Sequence, residues 1–117
     1  MKKLIGVAAL MALAGCASVN ETRSNPPLVD ITSTKPPIRV AECIRDQWQR
    51  ITVLGASFAV NLQSTGGVYS VIADLQMPTH LADVSPDGPG SHVKYHFYRT
   101  WQSPIDKFPD AVRACAR

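Results

Sequence analysis

The sequence predicts an α+β domain: an antiparallel meander of three to four strands, with an N-terminal and a C-terminal helix on one face. Three observations carry this. Apolar residues first recur at helical spacing, in Val40, Ile44, Trp48 and Ile51. They then alternate at period two through segments separated by turn residues. Helical spacing returns near the end, in Phe108, Val112 and Cys115.

Pro36-Pro37 opens the first helix. Proline suits a first turn, where its missing N–H would have no intrahelical partner anyway. Cys43 lies beside the apolar stripe, and Glu42, Arg45, Asp46, Gln49 and Arg50 fill the outer surface. Glu42 and Asp46 are like-charged at i, i+4, so burial of the stripe must hold this helix.

The strands follow. Phe58, Val60 and Leu62 alternate with Ala59, Asn61 and Gln63; Gly66-Gly67 marks a turn; Tyr69, Val71, Ala73 and Leu75 run back. Met77-Pro78 breaks the pattern, and Leu81 to Val84 reads as a short strand. Pro86-Asp87-Gly88-Pro89-Gly90 is a turn, because glycine supplies positive φ and proline presets its own. Val93, Tyr95 and Phe97 then share one face, and His92, Lys94, His96 and Tyr98 the other. The last helix is expected to start at Ser103, with Ser as cap, Pro104 in first position and Asp106 in third, and Pro109 restarting or bending it.

Before all this stands Met1-Lys2-Lys3, a basic start, and an apolar run of eleven residues from Leu4 to Ala14. As a helix that run spans about 16 Å. The hydrocarbon core of a bilayer is ~30 Å thick, so the run fits the h-region of an export signal and not a membrane span. The next step, Leu13-Ala14-Gly15-Cys16, resembles the lipobox of bacterial lipoproteins. The resemblance covers residues 1–17. It implies that residues 1–15 are a signal peptide, that diacylglycerol joins the Cys16 thiol, and that cleavage leaves Cys16 first with an acylated amine. Ala17 stands where an Asp would imply retention at the inner membrane, so the outer membrane, facing the periplasm, is the expected address.

Residues 16–36 then form a lipidated cysteine and a tether, with Pro26-Pro27, Pro36-Pro37 and many Ser, Thr and Asn. Such composition resists packing and is stiffened by proline. Its one apolar cluster, Leu28-Val29-Asp30-Ile31, has two readings, an edge strand docked on the sheet or disorder, and disorder is the expectation. Residues 37–117 are the domain. With Cys16 taken by lipid, Cys43 and Cys115 remain as a pair in an oxidising compartment. The lipobox resemblance thus implies a Cys43–Cys115 disulfide tying the two helices together.

Charge and motifs narrow the function. The chain carries +3, and losing Lys2 and Lys3 leaves the mature protein near +1. From Pro37 onward, eight Lys and Arg face seven Asp and Glu, which is no footprint for nucleic acid. His92 and His96 have the His-x3-His spacing that binds zinc from a helix. Here they lie on a strand, about 13 Å apart at ~3.3 Å per residue, too far to share one ion. His80 is remote in sequence from both, Ser91 lacks a nucleophile elbow, and Gly88-Pro89-Gly90 lacks a phosphate-binding pattern. No catalytic residue, metal or cofactor is expected. Trp48, Tyr69, Tyr95, Phe97 and Trp101 fall at core positions; Tyr98 and Trp101, if exposed together beside His96 and Arg99, would make a contact patch.

The expectation is a non-enzymatic envelope lipoprotein that binds a protein or the cell wall, and the membrane through its lipid. A second expectation is an inhibitor or exclusion factor against a hydrolase such as lysozyme; small size speaks for it, with no shared motif. Mass spectrometry of the protein isolated from membranes should give a chain starting at Cys16. It should be heavier by its acyl groups and lighter by two hydrogens for the disulfide. A chain starting elsewhere, without lipid, would sink the envelope reading.

Overall fold

A computed structural model describes residues 19–75 and 77–117. The expected signal peptide and Cys16 lie outside the described residues. Two helices, α1 (Pro37–Arg50) and α2 (Lys107–Ala116), pack on one face of a five-stranded antiparallel sheet. Its strands are β1 (Val29–Ser33), β4 (Val60–Thr65), β5 (Val68–Ala73), β6 (His80–Asp87) and β7 (Gly90–Phe97), in the order β1-β7-β6-β5-β4. A short hairpin, β2 (Thr52–Val53) and β3 (Ala56–Ser57), follows α1.

The α+β class, the meander β4-β5-β6-β7 and the two helices on one face are as the sequence predicts. Helix α1 begins on Pro37 and buries Val40, Ala41, Ile44 and Trp48. It ends where Ile51 turns extended. Helix α2 buries Phe108, Val112, Cys115 and Ala116. Cys43 and Cys115 are bonded, with Cα atoms 5.7 Å apart and a sequence separation of 72.

Several details differ. The sheet has five strands, not three to four, because Val29–Ser33 pairs along β7 from Val29↔Tyr95 to Ser33↔Ser91. The apolar cluster expected to be disordered is thus the edge strand of the sheet. Val29 turns inward and Asp30 outward, the alternation a half-buried strand needs. Gly90 permits the close approach: a Cβ there would sit 2.1 Å from the Ser33 carbonyl oxygen. The α2 cap is Asp106, not Ser103; its carboxylate accepts from the Phe108 N–H at 3.0 Å. Pro109 falls in the first turn, where it breaks no helix bond. Strand β6 is longer than the Leu81–Val84 run, and a two-residue turn at Gly88-Pro89 joins it to β7. No local pattern announces the β2–β3 hairpin. Its turn, Leu54-Gly55, holds positive φ at both positions, 52° and 80°, and Leu54 lacks the Asn or Asp that usually signals such a turn.

Cross-strand register sets which side chains meet the helices. One row runs Val60, Ala73, His80, Phe97; the next runs Leu62, Val71, Ala82, Tyr95, Val29. These close over Trp48, Ile44 and Phe108 to form the core. The opposite sheet face is also partly buried, at Ile72 and Leu81. Residues 19–25, helical through residue 24, lie against it. The Thr22 hydroxyl donates to the Pro78 carbonyl at 2.8 Å, Arg23 forks onto Asp83 at 2.8 and 3.2 Å, and Asn25 Nδ2 donates to the Phe97 carbonyl at 2.9 Å. Much of the stretch expected to be a tether is therefore docked.

A domain this small has limited core, so its covalent tie matters. In the chain-entropy picture, a loop of this length contributes about 4 kcal/mol. Cys43→Ala should lower the urea unfolding free energy by roughly that amount relative to the oxidised parent. A change within error would show that the bond contributes little.

Candidate functional site

Strand register defines one end of the molecule by the row Val60, Ala73, His80, Phe97. Three connections leave the sheet there: residues 52–59, 74–79 and 98–106. Backbone bonds stitch them to one another and to the sheet, from Asp74 N–H to the Ala59 carbonyl and from Tyr98 N–H to the Thr79 carbonyl. Every exposed large apolar side chain among the described residues stands on these connections: Val53 and Leu54, Leu75 and Met77, then Tyr98, Trp101 and Ile105. Val53 and Ile105 line one cleft together.

Of the predicted patch, Tyr98, Arg99 and Trp101 belong to this end. Tyr98 is 44 % exposed and the Arg99 guanidinium lies 4.9 Å above its ring. Trp101 is 71 % exposed, so it is no part of the core. It borders a cleft of about 320 Å³ with Leu28, Gln102, Pro104, Pro109 and Arg113. His96 does not join the patch. It is buried, and its Nδ1–H donates to the Asn25 carbonyl at 2.8 Å. The docked N-terminal segment, whose position no local pattern reveals, covers it.

The other histidines are apart. His92 pairs with Asp30 on the edge strand, and this pairing holds the Asp30 carboxyl below the usual carboxylate range. His80 points to the helix side, into a cluster the sequence did not reveal. Its ring stacks on Phe108, with centroids 3.7 Å apart and planes 17° apart, and meets Trp48, Phe58 and Phe97 at 5.2–6.1 Å. His80 Nδ1 shares a hydrogen bond of 2.8 Å with the Thr79 hydroxyl, while Nε2 stands 3.9 Å from the Asp106 carboxylate. Burial drives the His80 pKa down to about 4, the Asp106 charge opposing only in part. Tyr95, which donates to Gln102 Oε1 at 3.0 Å, is pushed up, mainly by burial. Among the described residues no group of three or more His, Cys, Asp or Glu is placed to hold a metal ion.

Fold and site together define a disulfide-tied α+β domain with an apolar loop end. Its buried histidine acts in packing. Compared with protein-family models, with curated proteins and with solved structures, the chain gives no significant match.

The buried imidazole makes stability depend on pH. In the unfolded chain it takes up its proton near pH 6.5; in the fold it stays neutral down to about 4. Between these values the unfolded state binds the extra proton, so acid favours unfolding. His80's contribution is fully present above pH 6.5 and is lost as pH falls toward 4, at up to about 1.4 kcal/mol per unit. Urea titrations from pH 7.5 to pH 5 should show this slope, and His80→Phe should flatten it. An equal slope in the variant would place the effect elsewhere.

Proposed function

We infer that this chain is a lipid-anchored envelope protein whose domain serves as a non-enzymatic binding module, with the loop end around Trp101 as its contact surface. The observation that carries the reading is the segregation of exposed apolar side chains to one end of a covalently tied body. Apolar side chains scattered singly over a surface need no explanation, whereas a contiguous set marks a place of contact. Trp and Tyr beside Arg is the composition of an energetic centre in an interface. Two of the titratable side chains, His80 and Tyr95, are buried, with pKa values displaced away from neutrality by burial. That displacement disfavours proton transfer at neutral pH. The lipobox-like residues Leu13-Ala14-Gly15-Cys16 supply the anchor and the compartment.

A photo-crosslinking residue placed at Trp101 in the full chain, in cells, tests the contact surface. It should yield a discrete adduct with an envelope component. The same residue at Ser64, on the exposed far end of β4, should not. Identical products from both positions, or none from Trp101, would remove the support for a binding surface there.

A further inference from the structure

We propose that the loop end of the domain rests in the headgroup layer of the membrane that carries the anchor. This rests on the lipid-anchor reading of Cys16 and names the partner of the surface just described.

The geometry that joins anchor and surface is short. Thr22 stands six positions after Cys16, and the Thr22 hydroxyl is bonded to the Pro78 carbonyl, within the 74–79 connection. Because the chain is helical from residue 19, three steps at ~3.5 Å at most and three helical ones at ~1.5 Å put Cys16 within about 15 Å of Thr22. The opposite end of the sheet, with the turns at Gly66-Gly67 and Gly88-Pro89, lies farther along. Strand β6 alone, eight residues from His80 to Asp87, spans about 26 Å at ~3.3 Å per residue. A chain acylated at Cys16 therefore enters over the back of the sheet, where Val19 and Asn20 line a cleft with Gln63, Thr65 and Val68, and reaches the loop end at Thr22 and Pro78. It holds the apolar end nearer the bilayer than the polar turns. With residues 19–25 docked on the sheet, no long tether remains to carry the domain away.

The side chains at that end suit the interface. Trp101 and Tyr98 have apolar rings with one polar atom, the composition enriched at headgroup depth. Arg99, over Tyr98, and the exposed Lys107 can bury their stems while their charges stay with phosphate. Leu54, fully exposed on the β2–β3 hairpin, has its backbone in the left-handed region. For a side chain of that type this conformation is uncommon. It puts an apolar group at the tip of the loop end, where nothing in the fold buries it.

Two tryptophans allow a direct test. The mature protein, purified from membranes, is reconstituted into phosphatidylethanolamine–phosphatidylglycerol vesicles, with flotation and mass spectrometry as controls. Trp48 is fully buried and reports the core; Trp101 reports the loop end. Vesicles with brominated acyl chains should quench an emission component that Trp101→Phe removes. That component should also be blue-shifted and shielded from acrylamide. An acylated protein that floats with the vesicles, yet keeps Trp101 unquenched by bromine and open to acrylamide, would overturn the docking. That is the behaviour expected if the end is kept for a protein partner. A protein of unacylated mass that fails to float would overturn the anchor reading and the docking with it, and the mass tells the two failures apart.

Discussion

The bond between Cys43 and Cys115 joins the middle of α1 to the last turn of α2, and both helices lie on the same face of the sheet. With their separation fixed, Trp48 and Phe108 are held face to tilted face, ring centroids 5.3 Å apart, and Trp48 Nε1 donates to the Phe108 carbonyl at 3.1 Å. The carbonyl it meets belongs to the first turn of α2, so one side chain packs against the second helix and also orients it. A sheet of this size with two short helices cannot bury a large share of its chain. The covalent link limits the unfolded ensemble and the aromatic layer fills what core there is.

That layer explains the fate of His80. It sits at the start of β6, in the row that faces the helices, where its ring meets those of Trp48, Phe58, Phe97 and Phe108. Desolvation keeps the imidazole neutral, and a neutral ring stacks on Phe108 without leaving a charge stranded. Asp106, which caps α2, lies close to His80 and adds a little in the opposite sense. The histidine is thus an aromatic packing element with one polar edge.

The sheet is covered unequally on its two faces. Helices cover one; on the other, residues 19–25 lie over Ile72, Leu81 and His96, held by Thr22, Arg23 and Asn25. Asp83 receives both Arg23 and the Ser70 hydroxyl, so the latch is tied into two neighbouring strands. An exposed ion pair of this kind contributes little by itself. The buried hydrogen bonds beside it, which satisfy backbone carbonyls of residues 78 and 97, give the segment its fixed position. The consequence is directional: the segment is fastened to the sheet next to the apolar loops.

The sequence by itself determined the helices and the central meander, because their signals are local. Val40, Ile44 and Trp48 share a face through the 3.6-residue turn, and Val93, Tyr95 and Phe97 share one through the pleat, whatever lies opposite. Cysteine parity, given a lipidated Cys16, reached the disulfide without geometry. Tertiary structure decided the rest. Val29 and Ile31 are too few to announce a strand, and only the unpaired edge of β7 makes them one. Leu54-Gly55 carries no turn signature, so the hairpin depends on what α1 and β4 require between them. His96 and Trp101 exchanged their expected places because burial of each is set by a distant segment: residues 19–25 cover the first, and nothing among the described residues covers the second. Periodicity tells which side of an element is apolar; which side chains end up covered depends on what the rest of the chain brings against them.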